Sequence, residues 1–425
     1  MKRDRNAQKL FVIAIIGAAC WGASLLVLRT VAGREQRFDE AKNDIAGTWG
    51  NRQVVFGPLL VVETGGSEAD GSRQTFYILP ATLYYETELE PEKRSRGIFS
   101  TPVYTGRVKI SGTFSAADMP QVVAAADGKT ARIAVAVTDT RGIEKQLDFK
   151  WQEKTIPFEP GSDIAALGRS GLHGSVPVDT LRSDVSFSFM FDVKGSEGIS
   201  FAPIGRETLI SALSVWKSPK FFGSFLPAEH SLSASGFAAQ WRISSFGRSY
   251  PQAWENHEVD FEDIVRSAAG VDLFEHADLY TKLFRSIKYA VLFIAVTFLA
   301  FFLFETLAGV RIHPLQYALV GAALSLFYLL LLSLAEHVGF FVAYVIATLM
   351  TASLISLYSA RVLIKKHRAV LIFAALVALY GYLYFVLLLE EYALLFGSLL
   401  LFVLLASLMY LTRNVNWFEA GVTDP

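Results

Sequence analysis

Apolar runs long enough to cross a bilayer occur once at the start of this chain and then repeatedly after Lys282, with a polar stretch from Arg29 to Lys282 between them. Backbone amides in lipid must be satisfied within the segment that carries them, so such runs have to fold as helices, while the polar middle has to fold in water. The first run, about Leu10 to Leu28, has roughly 19 apolar residues, more than the 7 to 15 of a cleavable signal core, and reads as a retained signal anchor. Cleavage near Ala32 is the alternative. The later runs are approximately Ile287–Phe304, Leu315–Leu334, Val338–Ala360, Ala369–Leu389 and Tyr392–Leu411. The expected fold class is therefore a membrane protein with an N-terminal signal-anchor helix, a large β-rich periplasmic domain and a C-terminal block of five transmembrane helices.

Loop charge sets the expected orientation. Lys2, Arg3, Arg5 and Lys9 precede the first run, and Arg361, Lys365, Lys366 and Arg368 fill one later loop. Glu336 with His337, and Glu390 with Glu391, mark the loops between. The positive-inside rule then puts both termini in the cytoplasm. Arg29, Arg34, Lys282, Arg285 and Lys288 oppose this, but they flank a long translocated region, where local charge counts for less. The expected division is 1–30 for the cytoplasmic N-terminus and anchor, 31–282 for the periplasmic domain, 283–412 for the helix block and 413–425 for a short cytoplasmic tail.

The polar middle has the texture of strand. Val185, Phe187, Phe189, Phe191 and Val193 alternate with small or polar residues, as do Ile133, Val135 and Val137, and Leu147, Phe149 and Trp151. A period of two puts one face of a strand into a core. Asp127-Gly128 and Arg141-Gly142 supply turns. Phe38, Ala41 and Ile45 recur instead at helical spacing, which predicts a short amphipathic stalk continuing the first span. The Gly, Ser and Pro of Glu159–Ser183 divide the region into two expected sheet subdomains, 50–158 and 184–282, or form a long loop in a single one.

Several chemistries are excluded. With 39 Lys plus Arg against 40 Asp plus Glu, a net charge of -1 gives no basic field for a nucleic-acid backbone. Cys20 is the single cysteine, so no intramolecular disulfide or multi-thiolate zinc site can form. Gly128-Lys129-Thr130 resembles the end of a phosphate loop, but position 123 is Val where a leading glycine is needed, so it reads as a turn. No nucleophile elbow, paired-histidine zinc motif or dinucleotide fingerprint is present, and no cofactor is expected.

The span centres carry no Asp, Glu, Lys, Arg or His, whereas channels and proton-coupled transporters place such groups at membrane depth. The candidate functional residues lie at span ends: Glu305, Arg311 and His313, with an ion pair between Glu305 and Arg311, and Glu336 with His337, which otherwise read as a solvated loop. In the middle region, Trp216, Phe221, Phe222 and Phe225 form either an exposed recognition patch or a buried sheet corner. Ala18 and Gly22 have the spacing of close helix contacts.

The segment from Lys288 to Phe340 resembles the membrane core of the CreD family. Gly57-Pro58-Leu59, then Phe222-Gly223-Ser224-Phe225-Leu226-Pro227-Ala228, Ser235-Gly236-Phe237-Ala238-Ala239-Gln240-Trp241, and Leu411-Thr412-Arg413-Asn414 with Trp417 follow that family's order over nearly the whole chain. The resemblance implies a Gram-negative inner-membrane protein associated with cell-envelope integrity and controlled by the Cre two-component system. It implies no known reaction and no catalytic or ligand residues.

The expected function is a non-enzymatic scaffold or sensor acting through its periplasmic domain, because a domain tethered at both ends is held at high effective concentration near the bilayer. Its expected partners are the lipid bilayer and an envelope protein or cell-wall component. The competing reading is a transporter or membrane-embedded enzyme acting on a lipid or cell-wall precursor through Glu305, Arg311 and His313.

Overall fold

A computed structural model of the chain describes residues 4–64, 74–119, 130–143, 147–162, 170–255, 258–273, 278–308, 312–362, 366–389 and 392–413. These fall into two compact units, Met1–Phe38 with His276–Pro425 and Asp39–Glu275. Helix α1 (Asp4–Trp49) contributes to both. The anchor and the amphipathic stalk are thus one element, with no proline to interrupt it. It stops at Gly50, whose amide donates to the Ala46 carbonyl at 2.9 Å. At its φ of +149° a Cβ would stand 2.5 Å from the Lys194 carbonyl oxygen, so glycine is required there.

In the unit of Asp39–Glu275, a nine-stranded and an eight-stranded sheet share one core. The first is organised on strand Gln53–Thr64, which pairs antiparallel with Thr130–Val137 and Gln74–Ile78 and parallel with Gly198–Phe201. The second is built on a long hairpin, Thr82–Arg96 with Phe99–Phe114, in register from Thr82↔Thr113 to Arg96↔Phe99. Strand Val185–Ser196 lies antiparallel along one side of it and Glu207–Ser214 parallel along the other. Alternation does its expected work: Val185, Phe187, Phe189, Phe191 and Val193 are all buried.

The core is filled from both sheets, by Phe56, Leu60, Ile133 and Val135 from one and Tyr85, Ile110, Phe189 and Trp241 from the other. Burying each large apolar side chain contributes on the order of 1.5–3 kcal/mol. Two fully buried tyrosines also pin the second sheet to the first. Tyr85 shares its hydroxyl proton between the Gly57 and Ala202 carbonyls, at 2.8 and 3.1 Å, and Tyr104 donates to the Gly198 carbonyl at 2.9 Å. Burial raises the pKa of both phenols above the ordinary value.

The division into subdomains 50–158 and 184–282 is corrected by this topology. Parallel pairings of Val55 with Phe201 and of Tyr85 with Ile210 join the two halves into a single unit. Parallel strands are joined by long crossovers, which leave no local trace in sequence. Part of the Gly- and Pro-rich stretch is ordered as strand Gly171–Pro177 and a 3-10 turn at Val178–Arg182. The turn at Asp127-Gly128 lies outside the described residues. The short α2 (Phe261–Arg266) begins at Asp260, whose carboxylate accepts from the Glu262 amide.

The end of α1 docks on the sandwich within this unit. Trp49 donates to the Tyr104 carbonyl at 3.2 Å and lies between the Arg94 guanidinium and the Lys194 ammonium, 4.3 and 4.7 Å from its ring. Lys42 pairs with Glu197 at 2.7 Å and Asp44 with Arg96 at 2.5 Å.

The other unit contains α3 (Asp278–Lys288), α4 (Ala290–Ala308), α5 (Pro314–Val338), α6 (Phe340–Val362), α7 (Lys366–Leu388) and α8 (Ala393–Thr412). Among the described residues, four helical segments are long and apolar enough to cross a bilayer: Phe11–Trp49, Pro314–Val338, Phe340–Ala360 and Ala369–Leu388. Leu279–Lys288 with Ala290–Leu303, bent by 41°, makes up to five, and Ala393–Ser407 is a shorter apolar helix. The expected span from Ile287 therefore starts differently: its first two residues end α3, which buries Tyr280, Leu283, Ser286 and Ile287 and exposes Lys288. An aromatic cluster fills the centre of this unit, with Tyr380 4.5 Å from Phe327 and 5.1 Å from Phe293, ring centre to ring centre.

Candidate functional site

The ionisable residues at the span ends are assembled around α1. Its seat on α5 is set at the middle of the helix, where a Cβ on Gly321 would stand 2.4 Å from Cys20 Sγ and 2.8 Å from Phe298 Cζ. Only glycine lets the two backbones approach this closely. One turn further on, the Ser325 hydroxyl lies 3.0 Å from the carbonyls of Cys20 and Gly321 and bonds α5 back to α1.

At one end of α1 the Lys9 ammonium pairs with Glu305 of α4 and donates to the Ile312 carbonyl at 2.8 Å. The second Glu305 oxygen accepts from the Tyr317 hydroxyl of α5 at 3.2 Å. Tyr317 is buried, its ring edge-on to Phe298 at 5.6 Å. At the other end Arg34 makes a fork on Glu336 of α5, with Nε 2.7 Å from Oε1 and Nη2 on Oε2. Here too a tyrosine completes the carboxylate, as Tyr280 of α3 donates to Oε1 at 3.1 Å. Each end therefore has the same parts: a cation from α1, a carboxylate from the helix block and a tyrosine hydroxyl from a third helix.

The nineteen helical steps from Tyr317 to Glu336 rise about 29 Å along α5, close to the ~30 Å of a hydrocarbon core. The two clusters thus sit where charge can reach the interface while the stretch between them stays apolar. Chemically, each carboxylate meets a basic side chain and a neutral hydroxyl donor from two other helices, an arrangement that fixes helices.

The sequence expectations meet this geometry as follows. Glu305 is partnered by Lys9 and Tyr317, and Arg311 lies outside the described residues, as does any pair between them. His313 caps α5: its Nδ1 accepts from the Leu315 amide at 3.3 Å, and Gln316 returns a bond to the His313 amide at 3.0 Å. The reading of Glu336 and His337 as a solvated loop is corrected, because α5 runs on to Val338 and the Glu336 side chain, 6% exposed, lies against Arg34 in its last turn. His337 stays exposed, with Nδ1 3.0 Å from the Ser333 carbonyl. Glu305 and Glu336 occupy opposite ends of the block and form no common site.

Trp216, Phe221 and Phe225 pack on the sandwich core, and Phe222 lies under the Arg52 guanidinium at 4.1 Å. Phe221 meets Trp241 and Phe237 edge-on at 5.7 and 6.0 Å, and Trp216, Phe221, Phe222 and Phe225 are all half-buried, neither a fully exposed patch nor a fully buried corner. The residues that sequence reasoning missed are Lys9 and Arg34 as partners and Tyr280 and Tyr317 as donors. The available signal was complementarity: cations flank the first apolar run at both ends, and unpaired carboxylates terminate two later ones. Among the described residues no three His, Cys, Asp or Glu side chains gather as a metal site would need.

A helix block with an apolar N-terminal helix seated in it, and a β-rich domain inserted between that helix and the rest, defines an integral membrane protein with a large water-exposed middle domain. The chain belongs to the CreD family: the family model for inner membrane protein CreD matches residues 5–418. It is 31% identical over 407 residues to the inner membrane protein CreD of Escherichia coli (strain K12), an alignment covering 93% of this chain and 90% of that protein.

Proposed function

We propose that this CreD-family protein is a non-enzymatic scaffold or sensor of envelope integrity, acting through a periplasmic β-sandwich held by six spans with both termini in the cytoplasm. The bent α3–α4 pair and α8 complete the count of six. Its partners on this reading are the bilayer and an envelope protein or cell-wall component that meets the sandwich.

The observation that carries the proposal is that Glu305 and Glu336 are both partnered. A transporter or membrane-embedded enzyme needs an ionisable group free to take up a proton, ion or substrate. Here each carboxylate already has a cation and a hydroxyl, which suits structural clamps.

The test is complementation of a deletion strain under envelope stress, with protein abundance measured in the same cells. Glu305→Gln, Arg311→Gln and His313→Ala should lower accumulation and protection in proportion, whereas surface substitutions in the sandwich should abolish protection at normal abundance. If the triple variant accumulates normally yet fails to protect, the charges act in transport or chemistry and the rival reading replaces this one.

A further inference from the structure

Between α1 and α4 runs an apolar groove of about 460 Å³, lined by Ala14, Ala18 and Trp21 on one side and Val291, Ala295 and Phe302 on the other. Its lining on α1 extends from Ile13 to Trp21, eight helical steps and about 12 Å along the helix axis, close to the ~15 Å depth of one leaflet.

What lies beyond one end of the groove is set by helical spacing. On α4 the lining recurs as Val291, Ala295 and Phe302 among Ile294, Phe298 and Leu299, a stripe of three- and four-residue steps. Continued backward by one step, that stripe reaches Lys288, at the 41° bend between α3 and α4. On α1 the stripe Ala14, Ala18, Trp21 and Leu25 continues to Arg29. Both Arg29 and Lys288 are exposed. Helical spacing thus puts one basic residue of each helix beyond the same end of the apolar lining, and these are among the charges that run against the positive-inside pattern.

We propose that this groove and its basic end form a binding site for a glycerophospholipid with an anionic head group, one acyl chain lying between α1 and α4 and the phosphate held by Arg29 and Lys288. Charge at that end and apolar lining below it match the two parts of one lipid. A basic residue at a membrane surface favours an anionic lipid on the order of fivefold, so two give a preference that a bare hydrophobic groove lacks.

Trp21, in the groove wall, reports on the site directly. The full-length protein is placed in phosphatidylcholine nanodiscs doped with either phosphatidylglycerol or phosphatidylcholine brominated on the acyl chains, and the Trp21 signal is taken as the difference from Trp21→Phe. At equal mole fraction the brominated phosphatidylglycerol should quench Trp21 with at least threefold higher apparent affinity. Arg29→Gln with Lys288→Gln should bring the two lipids to parity, and Ala295→Phe should weaken quenching by both. Raising salt to about 0.5 M should also erode the preference in the unaltered protein, a measurement that needs no variant to fold. Equal quenching by the two lipids in the unaltered protein at low salt overturns the proposal, as does a preference that survives both salt and the double substitution.

Discussion

Arg34 and Glu336 stand 302 residues apart in sequence and meet fork to fork, Nε on Oε1 at 2.7 Å and Nη2 on Oε2, with the Tyr280 hydroxyl on the same carboxylate. The glutamate is nearly enclosed, and the arginine is about one-third exposed at its side chain. Removing one partner leaves the other charge in a poorly hydrated place, which in a fully buried pair costs about 3–5 kcal/mol. Partial exposure of Arg34 lowers this to roughly 2 kcal/mol here. Glu336→Gln and Arg34→Gln should each lower the thermal midpoint of the detergent-solubilised protein, and the double substitution should cost less than the sum. Additive losses would show that the pair is not coupled.

The close approach of α1 to α5 makes a second prediction. Cys20 is buried against Gly321, so a membrane-permeant maleimide should label it slowly in the native protein. Gly321→Leu places carbon where Cys20 Sγ and the Phe298 ring now lie and must push the helices apart. Its labelling, followed as a mass shift on the single cysteine, should be at least about tenfold faster, in line with the loss of close backbone contact at a small-residue interface. Unchanged labelling would place the α1 contact elsewhere.

Much of this architecture is legible in sequence because it rests on local periodicity. The first apolar run, the strand alternation around Phe187 and Phe189, and the helical spacing of Phe38, Ala41 and Ile45 each carry their own signal. Two kinds of feature carry none. The parallel pairing of Gln53–Thr64 with Gly198–Phe201 depends on which distant strand fills a neighbouring place, so the middle region read as two subdomains. The carboxylates at Glu305 and Glu336 looked like loop or end charges because their cations lie 296 and 302 residues away. Glu336 was further disguised by its place in the last turn of α5, where a Glu-His pair before Gly339 resembles a connection and is in fact helix.

The buried tyrosines make the sandwich sensitive to alkali. A fragment of residues 39–275 contains no cysteine and holds the whole core cluster, so it should fold cooperatively, show mainly strand by circular dichroism and ignore reductant. Tyr85 and Tyr104 keep their protons in the folded state, since burial raises both, but lose them near pH 10 when unfolded. The folded state then binds more protons above that pH, and stability falls as pH rises, by about 1.4 kcal/mol per pH unit for each tyrosine. Tyr85→Phe should cost about 1–2 kcal/mol at neutral pH, by leaving the Gly57 and Ala202 carbonyls without their donor, and should make the alkaline slope shallower, the remainder coming from Tyr104, Tyr77 and Tyr250, which burial also raises. Urea midpoints between pH 8 and 11 read both effects, and an unchanged slope would mean that the tyrosines titrate freely.

Orientation is the last prediction, and the lipid and clamp arguments both give it consequences. Short loops follow the positive-inside rule more faithfully than long translocated regions, and the cluster Arg361, Lys365, Lys366 and Arg368 runs from the end of α6 to the first turn of α7. That loop should therefore be cytoplasmic, and counting spans outward from it assigns every other connection. Reporter fusions after Gly47, Gly339 and Glu390 should give periplasmic signal, and those after Arg311, Lys365 and the C-terminus cytoplasmic signal. The Arg34–Glu336 clamp and the basic end of the groove at Lys288 would then face the periplasmic leaflet, with Lys9–Glu305 at the cytoplasmic one. A basic end on that side runs against the charge rule, which is consistent with its charges being held by lipid phosphate as well as by position. A cytoplasmic reporter after Gly339 would reverse the assignment of both clamps and remove the six-span count.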